Sequence, residues 1–77
     1  MTRKLYEIAR EIRADWKNPY FGAVPYLRAM LELDGMSSAY GNDSARTIVG
    51  YFLSNAAGWR GDTARRIKAE LKSMLKG

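Results

Sequence analysis

Seventy-seven residues leave room for one domain, and a chain near that length hides only about 60% of the surface its unfolded form exposes, so its core is small. A content of 47% apolar, 12% aromatic and 27% charged residues is that of a chain that folds, and excludes a disordered segment. The absence of cysteine and histidine excludes a disulfide framework, the usual zinc ligands and the commonest general base, while a net charge of +5 favours an anionic partner.

The chain opens Met-Thr-Arg-Lys-Leu-Tyr-Glu, without the apolar core of a signal peptide. No stretch approaches the roughly 20 apolar residues that span a bilayer, so a cytoplasmic protein without membrane contact is expected. The charge is uneven. Residues 1–18 carry five basic and three acidic groups, residues 19–58 carry two and three, and residues 59–77 carry six and two. A net charge of this size also serves solubility.

Leu5, Ile8, Ala9, Ile12 and Trp16 recur at spacings of three and four and predict a first helix with one apolar face. Asn18-Pro19 ends it, because a residue before proline is pushed out of the α region. After a turn of Tyr20, Phe21 and Gly22, Pro25 suits the start of a second helix, where its missing N–H costs nothing. That helix reads Tyr26 to Asp34, with Arg28 and Glu32 as a narrow wet edge, and is expected at the buried centre of a bundle.

Gly35 to Asn42 reads as a polar connector holding one helical turn around Ser38–Tyr40. Asp43 or Ser44 then caps a third helix, whose main face is Ile48, Tyr51, Phe52, Asn55 and Ala56. Gly50 in mid-helix points to another helix crossing closely there. Gly58 is placed in the left-handed position past the helix end, with Trp59 reaching back to Leu53. Asp62 caps a fourth helix running to about Lys76. Ala64, Ile67, Leu71, Met74 and Leu75 form its apolar stripe, and Arg65, Lys68, Lys72 and Lys76 lie beside it as a basic one. The expected fold is all-α: a compact single domain of four short helices covering residues 1–77.

Chemistry has few candidate groups. Glu7, Glu11 and Asp15 make a carboxylate row on the first helix, but Arg3, Arg10 and Arg13 are near enough to neutralise it, and an isolated helix face seldom closes a metal site. No catalytic residue, cofactor, metal or small-molecule substrate is therefore expected.

Binding is better supplied. Arg60, Arg65, Arg66, Lys68, Lys72 and Lys76 are cations that could track the phosphates of a nucleic acid, or contact a complex that handles one. The turn Ala57-Gly58-Trp59-Arg60-Gly61-Asp62 resembles that of a helix-turn-helix, which would bring Thr63, Arg65 and Arg66 to a duplex; any pair of helices also needs such a turn. Aromatic residues interleave with cations in Trp16-Lys17-Asn18-Pro19-Tyr20-Phe21 and Trp59-Arg60, as in single-strand binders, although a small core claims large rings first. Arg60-Gly61-Asp62 matches the adhesive tripeptide of matrix proteins and reads here as a turn with a cap.

The segment from Trp16-Lys17-Asn18-Pro19-Tyr20-Phe21 to Leu27, and Ile48 to Ala56 with Trp59-Arg60-Gly61, resemble short reading frames of phages and mobile elements of Gram-positive bacteria. The resemblance spans nearly the whole chain and brings no assigned activity or functional residue. It implies a host-cell cytoplasmic setting in which small proteins bind and inhibit restriction or CRISPR complexes. An inhibitor of that kind would contact its target through Tyr20, Phe21 and Tyr40. A third arrangement is a self-associating module, a homodimer formed through an uncovered apolar stripe.

Overall fold

The computed structural model describes residues 3–35, 39–41 and 43–76, with Ala39 and Tyr40 described by their backbone alone. Four helices follow in order, α1 (Leu5–Asp15), α2 (Val24–Met30), α3 (Ala45–Ser54) and α4 (Asp62–Lys76), with strands β1 (Ala39–Tyr40) and β2 (Asp43–Ser44) between α2 and α3. Helix α1 packs on α2 and α4, and α3 packs on the same two helices. The fold is an all-α bundle. Its Cα radius of gyration is 11.1 Å, close to the roughly 11.5 Å of one compact domain of this length.

The apolar spacing explains the core. Leu5, Ile8, Ala9 and Ile12 of α1 are fully buried, as are Ile67 and Leu71 of α4, and Ala64 is nearly so. They meet Leu27 and Met30 of α2 and Ile48, Val49 and Phe52 of α3 in a single cluster. Among the described residues no polar or charged side chain is buried. The start of α1 is closed by tertiary contacts: the N–H groups of Leu5 and Tyr6 donate to the carbonyls of Asp34 and Leu33, at 2.9 and 3.0 Å. Glu7 Oε1 accepts the N–H of Lys4, so the orphan donors of that first turn find partners.

Four local expectations are corrected. Helix α2 starts at Val24, placing Pro25 in its first turn, and ends at Met30 rather than Asp34, since Leu31 to Leu33 turn back towards α1. In place of a helical turn around Ser38–Tyr40, Ala39 and Tyr40 are extended and pair antiparallel with Ser44 and Asp43; Ser38 lies outside the described residues. Gly41, at φ 62°, supplies the left-handed residue that reverses this short hairpin. Helix α3 is capped by Ser44, whose Oγ accepts the Thr47 N–H, but it stops at Ser54, so Asn55 and Ala56 lie beyond it. Its buried face is Ala45, Ile48, Val49 and Phe52; Tyr51 is 52% exposed.

Two glycines also differ from expectation. Among the described residues no atom from outside this stretch of helix lies within 4 Å of where a Cβ on Gly50 would sit, so none of the other described helices crosses closely there. The positive φ of the α3–α4 connection, 113°, belongs to Gly61 and not Gly58. Gly61 caps α4, its carbonyl accepting the Arg65 N–H at 3.0 Å, and Asp62 is the first helical residue. Among the described residues no helix is long and apolar enough to cross a membrane.

Candidate nucleic-acid interface

Helix α4 turns about 100° per residue, and this divides the basic residues read from the sequence. With Ile67 facing the core, Lys68, Lys72, Arg65 and Lys76 fall about 100° to 180° round one flank. Arg66 falls about 100° the other way, beside Glu70.

The second flank is a seam against α1. Arg3 donates to Glu11 at 2.7 Å and holds Glu70 through two nitrogens at 2.7 and 3.0 Å. Arg66 pairs with the other oxygen of Glu11. The guanidinium of Arg66, then that of Arg3, holds the Glu11 carboxyl below its ordinary pKa, and the two glutamates raise that of Arg3. Arg66, itself 55% exposed, is thus turned towards Glu11 of α1 and away from the first flank.

The first flank is different. Arg65 pairs with Asp62 at 2.7 Å, but both side chains are largely in water, where such a pair is screened and weak. Lys68 is half-buried; its Nζ donates to the Trp59 carbonyl at 2.6 Å and lies 5.9 Å from the centre of the Trp59 ring. Loss of water around the ammonium, with the nearby charges of Lys72 and Arg60, lowers its pKa. Arg60, Lys72 and Lys76 are exposed, and among the described residues none has a hydrogen-bond or ion-pair partner. Between the connection and the first turns of α4 lies a cleft of about 300 Å³, lined by Trp59, Arg60, Gly61, Ala64, Arg65 and Lys68. A phosphate there would meet three cations and no carboxylate from that lining.

The helix-turn-helix expectation does not hold. Residues 55–61 separate α3 from α4, a longer connection than the three or four residues of that motif. With Arg66 turned to α1, the start of α4 does not present Arg65 and Arg66 together. The Glu7–Glu11–Asp15 row is dispersed as well: Glu7 caps α1, Glu11 holds two arginines, and Asp15 Oδ2 accepts the Trp59 indole N–H at 2.8 Å. Among the described residues no cluster of metal-ligating side chains forms.

Among the described residues Phe52 and Trp59 are buried, and Trp16 and Tyr26 pack half-buried against the core. Trp59 is buried, stacks on Trp16 with 5.8 Å between centroids and 12° between planes, and meets Phe52 edge-on. Tyr20 and Phe21 are uncovered, at 50% and 79% exposure, and touch each other at 4.8 Å. The side chain of Tyr40 lies outside the described residues. Tyr51, expected on the main face of α3, is half exposed and packs its ring on Tyr26 at 5.3 Å. Steps of 100° from Ile48 and Phe52 place Tyr51 at the margin of the buried face, where its neighbours decide its exposure. Compared with protein-family models, curated proteins and solved structures, the chain matches none.

Proposed function

We propose that this chain is a non-catalytic, cytoplasmic binding module of phage or mobile-element origin, which takes nucleic acid, or a complex handling it, on the first flank of α4. The supporting observation is the cation cluster around Lys68. Arg60, Lys72 and Lys76 have no carboxylate partner among the described residues, and Lys68 sits in a cleft with its charge partly stripped of water. Like charges held together on a rigid helix cost free energy in the unbound protein, and a polyanion relieves that cost while releasing its own counterions. Arg65 joins this set when its exposed pair with Asp62 opens.

The test is Arg60→Glu with Lys72→Glu and Lys76→Glu, all exposed positions. Loss of retention on heparin and DNA columns with unchanged helicity is expected. Equal retention assigns these cations to solubility alone.

The uncovered rings of Tyr20, Phe21 and Tyr51 favour a second reading, an inhibitor of a host defence complex that docks through aromatic contacts. Tyr20→Ala with Phe21→Ala would then abolish capture of a host protein that survives nuclease treatment, whereas unchanged capture removes that surface.

A further inference from the structure

A larger groove, of about 790 Å³, runs between the end of α1, residues 16–19 and one side of α2. Trp16, Pro19, Val24, Leu27 and Leu31 give it an apolar lining. Arg13, Lys17 and Arg28 stand around it against one acid, Glu32, and all four are exposed with no ion pair to another described residue. An apolar bed inside a net positive rim fits a ligand with a flat apolar body and negative charge on either side.

The groove adjoins the α4 cleft through its tryptophans. Trp16 lines the groove, Trp59 lines the cleft, and the two indoles stack face to face between them. Each hollow thus takes part of its wall from the same stacked pair of indoles. A duplex keeps its bases stacked inward and has nothing to place against such a wall, whereas a single strand can turn a base out onto an aromatic face. The long α3–α4 connection, which removes a helix-turn-helix, agrees with this choice.

We propose that the α1–α2 groove is a base-binding site for single-stranded nucleic acid, Trp16 receiving an unstacked base while Arg13, Lys17 and Arg28 hold the flanking phosphates. The proposal rests on the nucleic-acid reading of α4 and extends it from a phosphate contact to a choice between strand and duplex.

The test uses the full chain, an oligodeoxythymidine of about 12 nucleotides and a duplex of equal length. The strand is expected to quench tryptophan fluorescence and the duplex to quench it little. Lys17→Glu with Arg28→Glu, both exposed positions, should weaken strand binding about tenfold or more and duplex binding much less. Val24→Phe, which fills the groove without altering charge, should weaken strand binding too. If strand binding is unaffected by both variants, the groove is not a base site. Quenching by an acidic amphipathic peptide and not by the strand would assign the groove to a protein and overturn the proposal. If the α4 triple reversal leaves strand, duplex and heparin binding all intact, the underlying reading fails instead.

Discussion

The indole of Trp59 lies flat against that of Trp16, 5.8 Å between centroids and 12° between planes, while its N–H donates to Asp15 at 2.8 Å. The α3–α4 connection is thereby fastened to the end of α1, and the carbonyl of Trp59 is placed where Lys68 reaches it. A ring that belongs to the core thus sets the position of a candidate phosphate ligand.

Trp59→Ala should cost about 3–5 kcal/mol, the range for emptying a large buried side chain, and a domain this small has little more stability than that. Trp59→Phe keeps a ring but forfeits the bond to Asp15, at about 1–2 kcal/mol. Urea midpoints measure both, and equal midpoints for Trp59→Phe and the native chain would remove the fastening role.

Two glycines should respond in opposite directions to alanine. A Cβ at Gly22 would lie 2.6 Å from the Tyr20 ring and 2.8 Å from Asn55 Oδ1, so Gly22→Ala must displace those two side chains and destabilises. Gly50 sits inside α3 with open space around it, so Gly50→Ala should stabilise by about 0.5–1 kcal/mol through helix propensity and a less disordered unfolded chain. Thermal melts of the two variants give the signs.

Acid should weaken the α1–α4 seam. The folded chain holds Glu11 below its ordinary pKa of 4.5, so it binds fewer protons than the unfolded chain does in that region. Its contribution is complete above 4.5 and is lost as pH falls through the lower folded value. Glu11 is partly exposed, which limits each pair to about 1 kcal/mol or less. Glu11→Gln should lower stability at neutral pH and flatten the acid side of the profile, read from urea midpoints across pH 3–7.

Lys68 should titrate below 10.5, the ordinary lysine value, because burial and the charges of Lys72 and Arg60 disfavour its ammonium. Removing a like charge by Lys72→Ala or Arg60→Ala moves the titration up, and so does a bound polyanion. Side-chain NMR of the lysines follows each shift. A Lys68 that titrates identically in native and variant chains would show that the three cations do not feel one another.

The sequence carried more of the fold than of the site. Spacings of three and four located α1 and the apolar stripe of α4 because an amphipathic helix writes its burial directly into its period. The same spacing erred at Tyr51, since an aromatic ring at the margin of the buried face looks like a core residue until its neighbours are known. Gly50, Gly58 and Gly61 are alike in sequence, and only the tertiary path of residues 55–61 decides which takes a positive φ. Arg66 stands next to Arg65 in the chain but on the opposite flank of α4, where Glu11 waits from α1. That partner is 55 residues away, beyond any local pattern. The groove behind Trp16 likewise draws on α1, the 16–19 turn and α2, which no single stretch of chain reveals.

The α4 surface is tested most directly by the salt dependence of its affinity for single-stranded DNA. Four or five phosphate contacts on α4 with up to three in the α1–α2 groove predict a straight fall of log K against log salt with a slope of about −5, reduced towards about −3 by Arg60→Glu, Lys72→Glu and Lys76→Glu together. Affinity that hardly changes with salt, or a slope the three substitutions leave unaltered, would contradict the assignment of these cations to phosphate.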